Sequence, residues 1–351
     1  MGTPVPVSEP PVISVIVPAR NEEASLPACL ASLVSQTGVS FEIIVIDDGS
    51  TDQTRAIVES FAGICLINPP PLPSGWTGKN NAVVAGAHEA KGKWLLFTDA
   101  DTVHKPGSLA RAVAEAEASH ADLLSYSPEQ QVHGFWEKAV MPVIFAELAR
   151  KYPPSRVSDF SKNLAAANGQ YLLISRRAYD CVGGHAAIAQ SLLEDVALAR
   201  AVRDASLRIR FRYGGDAVRT RMYRGFRQMR EGWTKNLVLL FPNAVALALL
   251  RLLEFLFVFV CLCVAVLAIY VGEWRHSIIF FIPMLLTFMR VSTARFSWSS
   301  NVLGIFGLPV FSYLLLRSKV RHASGAVCWK GRTYAGSAAS NQFRNGDSWS
   351  I

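Results

Sequence analysis

Val15-Ile16-Val17-Pro18-Ala19-Arg20-Asn21-Glu22-Glu23 is an apolar run of strand length that stops abruptly in a charged turn. The pattern repeats along the first hundred residues. Apolar runs at 13–17, 41–46, 64–67 and 94–98 alternate with helix-like stretches such as 24–34 and 54–61. Strands apolar on both faces, separated by helices, predict βαβ units and a mainly parallel sheet, an α/β fold. Ligands of open sheets bind beyond the carboxyl ends of the strands, so the residues that follow each run are the place to look for function.

Those residues are acidic. Asp47-Asp48-Gly49-Ser50-Thr51-Asp52 follows the second run and Asp99-Ala100-Asp101 the fourth. Helix capping accounts for Ser50, Thr51 and Asp52, ahead of a helix beginning near Gln53. It does not account for Asp48, Asp99 and Asp101, because carboxylates brought to one edge repel one another unless a cation or a ligand hydroxyl separates them. A bound divalent metal is the economical answer.

The remaining composition bounds the protein class. The chain has 351 residues, 51% apolar and 18% charged, with 35 Lys and Arg against 27 Asp and Glu, which excludes intrinsic disorder. The apolar excess is concentrated in 236–316, so a soluble domain followed by membrane helices is expected. No secretory signal is expected at the N-terminus, where MGTPVPVSEPP has neither a basic nor an apolar region. Six cysteines show no CxxC pair and no metal-ligand spacing with His.

Five motifs in one order then resemble the family 2 glycosyltransferases of GT-A fold, and within them bacterial membrane enzymes acting on carotenoid, hopanoid or ceramide lipids. They are VIVPARNEE (15–23), IDDGSTD (46–52), GWTGKNNA (75–82), TDAD (98–101) and LLEDVALA (192–199). The resemblance implies that Asp101 binds Mg²⁺ or Mn²⁺ and that Asp99 contacts the metal or the ribose, oxygen ligands that suit hard cations. It implies that Asp48 reads the nucleoside, that Pro18, Ala19, Arg20 and Glu22 border the same pocket, and that Lys79 meets diphosphate oxygens as a point charge. Asp195 of the Glu194-Asp195 pair is the implied general base of an inverting transfer, since a hydroxyl nucleophile must lose its proton. Plainer readings stand beside these: a solvated strand end for 99–101, an exposed first helical turn for Lys79, and acidic residues complementing a helix dipole for Glu194 and Asp195. GWTGKN is not a Walker A loop, because Gly75 and Gly78 are too close and Asn80 follows Lys79.

Gln228, Arg230 and Trp233 resemble the QxxRW element of related enzymes, with altered spacing, and are acceptor or gating candidates. The favoured reading of the same segment is a basic amphipathic helix on anionic lipid heads, built by Arg219, Arg221, Arg224, Arg227, Arg230 and Lys235. The stretch 135–152 reads either as a core helix or as an interfacial patch. A spanning helix needs about 20 apolar residues. Residues 252–271 qualify, whereas 237–250, 278–289 and 302–316 are shorter. Arg and Lys before 236 and after 316 place both ends in the cytosol and favour an even number of spans.

The expected organisation is thus a flexible N-terminus (1–11), a GT-A catalytic domain (12–235), membrane helices (236–320) and a basic cytosolic tail (321–351). The expected protein is a multi-pass enzyme of a bacterial-type plasma membrane with its catalytic domain cytosolic. It transfers a sugar from a nucleotide sugar, UDP-linked, to a lipid acceptor, with Mg²⁺ or Mn²⁺ as cofactor and no nucleic-acid partner. Transfer to polyprenyl phosphate and a non-catalytic nucleotide-sugar-binding scaffold are the alternatives.

Overall fold

A computed structural model describes residues 10–329 and 331–334. Most of the expected 1–11 segment and of the 321–351 tail lies outside the described residues. The elements run β1 (Ile13–Ala19), α1 (Leu26–Val34), β2 (Phe41–Asp47), α2 (Thr54–Glu59), β3 (Ile64–Ile67), α3 (Gly78–Glu89), β4 (Trp94–Phe97) and β5 (Thr102–His104). They continue with α4 (Ser108–Ala118), β6 (Leu123–Ser127), β7 (Glu129–Gln130), α5 (Phe135–Lys151), α6 (Pro154–Val157), β8 (Leu172–Ser175), α7 (Arg176–Cys181) and α8 (Gly184–Ala187). Then come α9 (Glu194–Asp204), β9 (Ile209–Tyr213), β10 (Val218–Thr220), α10 (Phe226–Leu240), α11 (Ala244–Tyr270), α12 (Trp274–Phe280), α13 (Ile282–Ser292), α14 (Trp298–Ala323), β11 (Val327–Trp329) and β12 (Arg332–Tyr334). The chain divides into two compact units. One holds the residues up to Glu129 with Pro154–Thr220, the other Gln130–Pro153 with the residues from Arg221 on.

The first unit is built on a seven-stranded sheet of order β3-β2-β1-β4-β8-β6-β9. β1 pairs in parallel with β2 on one side and β4 on the other, β2 pairs in parallel with β3, and β8 runs antiparallel to both neighbours. The mainly parallel sheet expected from the apolar runs is therefore present. Because the chain leaves β1 toward β2 and β3 and later returns to its other side with β4, the order reverses between β1 and β4, which opens a crevice at their carboxyl ends. Both faces of β1 are buried, and Ile13, Val15 and Val17 join Leu26, Leu30 and Leu33 of α1 in one apolar cluster. α3 covers the other face through Gly86, where an added Cβ would stand 2.6 Å from Ile46 and 2.7 Å from Ile16.

The second unit is helical. The apolar run expected at 237–250 is broken at Phe241–Asn243, between α10 and α11, where Pro242 disfavours helical backbone in the residue before it. The run at 278–289 is likewise split at Phe281, two residues ahead of Pro283. Among the described residues, α11 and α14 are long and apolar enough to cross a membrane. Among the described residues much of α11 is left uncovered, with Leu253, Phe257 and Leu267 63%, 61% and 61% exposed. α5, whose sequence left two readings open, packs on α14 so closely that a Cβ at Gly307 would overlap the Ala139 carbonyl oxygen.

A square of charge is buried among these helices. Glu147 of α5, with a wholly buried side chain, takes Arg251 Nε of α11 at 2.9 Å and Arg290 Nη1 of α13 at 2.7 Å. Arg290 Nη2 reaches Glu254 Oε1 at 2.8 Å, Thr287 donates to the same oxygen at 2.9 Å, and Arg251 closes the square on Glu254 at 2.5 Å. Removing one partner of such a set strands its opposite charge.

Two outcomes are expected in thermal unfolding. Gly86→Val forces β-branched bulk onto Ile16 and Ile46 and costs about 1–3 kcal/mol, seen as a lowered Tm. Glu147→Leu, which leaves Arg251 and Arg290 to share Glu254, costs about 3 kcal/mol, whereas Arg227→Leu on an exposed i,i+4 pair leaves Tm nearly unchanged.

Candidate active site

The turns after β1 and β2 are stitched to each other. Asn21 adopts a left-handed φ of 53°, which a short polar side chain tolerates best. In that conformation its N–H donates to Ser50 Oγ at 3.0 Å and its Oδ1 accepts from Thr51 N at 2.8 Å. Glu22 N donates to Thr54 Oγ1 and Glu23 N to Asp52 Oδ2, and Asp52 also accepts from Thr54 N at 3.0 Å. These hydrogen bonds hold Asp52's carboxyl below the ordinary aspartate range, against the opposing effect of its partial burial. The N-cap of α2 falls at Gln53, without a side-chain hydrogen bond, so the capping expected of Asp52 is corrected: its carboxylate closes the turn ahead of α2 and ties the two loops. Beside them Arg20 Nη1 donates to the Asp48 carbonyl at 2.6 Å and lies 3.9 Å from Asp48 Oδ2. Pro18 and Ala19 end β1 directly before this pair, and Ala19 O accepts from Asp48 N.

On the other side of β1 three segments distant in sequence meet. Lys79 is the second residue of α3, whose first turn is capped by Thr77 Oγ1 accepting from Asn80 N at 3.1 Å. Its ammonium lies 2.6 Å from Asp99 Oδ1, past the end of β4, and 2.6 Å from Glu194 Oε1, at the start of α9. Burial works to lower the Lys79 pKa, but the charges of Asp99 and Glu194 prevail and hold it well above the ordinary lysine value. Lys79 therefore lies against Asp99 and Glu194 in one cavity, and the reading of it as an exposed first-turn residue is corrected.

Asp195 is next to this pair. Its Oδ2 accepts from Gly169 N at 2.9 Å and its Oδ1 from Val196 N at 2.8 Å. Burial, and then the neighbouring Glu194 carboxylate, push its pKa up to about 6, with the two N–H donors and Lys79 pulling the other way. Pro18, Phe97, Asp99, Lys79, Glu194 and Asp195 line one cavity, together with Gly169 and His185. His185 is buried, its Nδ1 3.1 Å from Tyr179 Oη and its ring edge-on to Phe97, and burial lowers its pKa to about 4, so it is neutral and structural.

Several residues that the motifs did not assign set this geometry. Asn80, wholly buried, donates its amide to the carbonyls of Ile188, Ala189 and Ser191 at 3.0–3.1 Å, fixing the turn that leads into Glu194-Asp195. Thr98 Oγ1 donates to Gln170 O, Gln170 Nε2 to Thr220 Oγ1, and Thr220 Oγ1 to Asp101 O, a chain that pins the turn carrying Asp99 and Asp101.

Among the described residues no three His, Cys, Asp or Glu side chains gather closely enough to hold a metal by themselves. Asp99 and Asp101 fit the other kind of site, in which one or two carboxylates bind a hard cation and substrate phosphates and water complete its shell. Gln228, Arg230 and Trp233 all lie on α10 in the second unit. Gln228 Oε1 accepts from Arg224 N at 2.9 Å, Arg230 O accepts from Thr234, and Trp233 is buried with its indole N–H on Met141 Sδ at 3.3 Å. Trp233 is thus a core residue of its unit.

Comparison with known proteins agrees with this architecture. Residues 14–183 match the family model described as glycosyl transferase family 2. Over 341 residues the chain is 27% identical to 4,4'-diaponeurosporenoate glycosyltransferase of Staphylococcus aureus (strain MRSA252), spanning 92% of this chain and 88% of that one. Its counterpart in Staphylococcus haemolyticus (strain JCSC1435) is 32% identical over 229 residues, 64% and 60% of the two chains. Among solved structures, the mannosyltransferase PcManGT from Pyrobaculum calidifontis, in complex with GDP-Man and Mn²⁺, superposes with a TM-score of 0.53 at 17% identity, over 90% of this chain and 87% of that one. The likeness shows the fold, the GT-A architecture expected from the motifs.

The raised Asp195 pKa fixes a pH dependence of stability. An aspartate whose folded pKa, about 6, exceeds the ordinary aspartate value of 3.8 binds its proton more tightly folded than unfolded, so it costs stability as pH rises between those values. The Tm of Asp195→Asn minus that of the wild type should therefore climb from pH 4 to pH 7 and then level off. A difference constant over that range would contradict the assignment.

Proposed function

We propose that this glycosyltransferase, whose residues 14–183 match the model of glycosyl transferase family 2, transfers a sugar from a UDP-sugar to a lipid at a membrane surface, with inversion. The observation that carries the proposal is Asp195, a carboxylate of raised proton affinity lining the same cavity as Lys79 and Asp99. Asp48, with Arg20 packed on its carbonyl, receives the nucleoside, and Pro18, Ala19 and Glu22 border it. A carboxylate accepts two donors, as base or ribose recognition requires.

The donor's diphosphate lies toward Lys79, whose ammonium meets its oxygens. Asp99 and Asp101 would hold Mg²⁺ or Mn²⁺, which when bound neutralises charge that builds on the departing diphosphate. Asp195 takes the acceptor proton as the acceptor oxygen bonds to the anomeric carbon and the bond from that carbon to the diphosphate breaks. A pKa near 6 leaves Asp195 ionised at neutral pH yet more basic than an ordinary aspartate, which suits that step. Polyprenyl phosphate, already an anion, would make no use of it.

The lipid nature of the acceptor is supported by α11 and α14. Their length, and the uncovered Leu and Phe of α11, fit a bilayer, where a lipid acceptor and a cytosolic nucleotide sugar can meet only at the surface. Gln228 and Arg230 on α10, among the arginines of that segment, belong to the headgroup side in this reading.

The test is transfer of radiolabel from a panel of UDP-, GDP- and dTDP-sugars into the organic phase by purified protein in membrane lipid extract. Label should enter from a UDP-sugar, and should fall at least a hundredfold with EDTA, in Asp101→Ala and in Asp195→Asn, in line with the loss of a general base. Full activity of Asp195→Asn would overturn the assigned base, and label that stays in water would overturn the lipid acceptor.

A further inference from the structure

Lys79 is shared between two carboxylates of different standing. Asp99 is one of the two residues placed at the cation, whereas Glu194 has no assigned part in binding or chemistry. Yet the ammonium stands 2.6 Å from each, and the three side chains are 35%, 29% and 12% exposed. Two of the three N–H donors of the ammonium are committed to these oxygens. Asp99 Oδ1 is therefore already paired with a positive charge, which a divalent cation taking the same oxygen would have to displace.

We infer that Lys79 is a resident counter-cation for Asp99, and that a divalent cation binds only as this ammonium swings off Asp99, pivoting on Glu194, toward the phosphates of the nucleotide. The inference rests on the metal-assisted reading above and adds a role for Glu194, that of a positioning residue. Three features support it. The backbone of Lys79 is fixed by the Thr77 cap and by the three hydrogen bonds of Asn80, so movement falls to the flexible side chain. The residue beside the ammonium is Gly169, where any side chain would crowd that movement, since an added Cβ would stand 3.4 Å from both Lys79 Nζ and Glu194 Oε1. Glu194 also keeps one carboxylate on the ammonium throughout, so that the charge is never left alone in a half-buried cavity.

The consequence is a coupling between two ligands. A diphosphate that draws the ammonium away uncovers Asp99, and a cation that takes Asp99 frees the ammonium for the diphosphate. By linkage each tightens the other by the same factor, beyond what direct contact between cation and phosphate gives.

Mn²⁺ binding to the full-length protein in detergent, read from the electron paramagnetic resonance of free Mn²⁺, tests this without turnover. Without nucleotide, Lys79→Gln should bind Mn²⁺ at least tenfold more tightly than the wild type, and Lys79→Arg, which keeps the charge, no more tightly than the wild type. Added UDP should then strengthen Mn²⁺ binding more in the wild type than in Lys79→Gln. Lys79→Met serves in place of Lys79→Gln should the latter not fold, and Asp101→Ala locates the signal. Equal Mn²⁺ affinity of wild type and Lys79→Gln without nucleotide overturns the counter-cation role alone. Absence of Mn²⁺ binding in both, even with UDP, overturns the metal-assisted reading and this inference with it.

Discussion

Carboxylates placed at one edge of a sheet raise one another's energy, and the way the chain meets that repulsion organises its site. Asp99 and the Glu194-Asp195 pair come from segments far apart in sequence and line one cavity. The ammonium of Lys79 bridges Asp99 and Glu194, while Asp195 is steadied by the N–H groups of Gly169 and Val196. Everything that fixes the site serves this arrangement. The β1–β4 crevice exposes Asp99, the Thr77 cap starts α3 so that Lys79 points across it, and the Asn80 amide holds the turn that delivers Glu194 and Asp195. Asp195 cannot share the ammonium equally, so burial and the adjacent Glu194 raise its proton affinity, the property a base requires.

What could be read in the sequence is what is local. The apolar runs gave the strands because a parallel strand buried on both faces leaves a contiguous signature, and the acidic residues after β2 and β4 stood out because nothing nearby neutralises them. The Lys79–Glu194 pair joins residues 115 positions apart and leaves no pattern in either segment. The same holds for Asn80, an ordinary polar residue on a helix until the 188–191 turn folds against it. In the apolar half, hydropathy located the helices but not their breaks, because proline acts on backbone geometry and barely alters hydropathy. Trp233, a candidate through its resemblance to the QxxRW element, is buried with its indole on Met141, a contact that depends on the packing of α5 and α14 around α10 and leaves no mark in the sequence.

Glu147 and Glu254 show the limit of reading charge from sequence. A glutamate in a long apolar helix suggests either an error in the helix assignment or a functional site. Here both carboxylates find Arg251 and Arg290, whose own positions in apolar helices would otherwise be as costly. The four charges come from α5, α11 and α13, so the set forms only when all three helices are in place.

The two charge clusters differ in balance, and the difference separates structure from function. The square of Glu147, Glu254, Arg251 and Arg290 pairs two anions with two cations, and each member is answered from within. The lining of the first unit's cavity instead sets Asp99, Glu194 and Asp195 against Lys79, with His185 neutral, three anions to one cation. A closed set of charges needs nothing further and stabilises the packing that made it. An open set, held beside a crevice and short of positive charge, is completed when a ligand brings cations with it. That imbalance, and not the number of acidic residues, is the physical ground on which the proposed cation and nucleotide diphosphate are assigned to the β1–β4 edge.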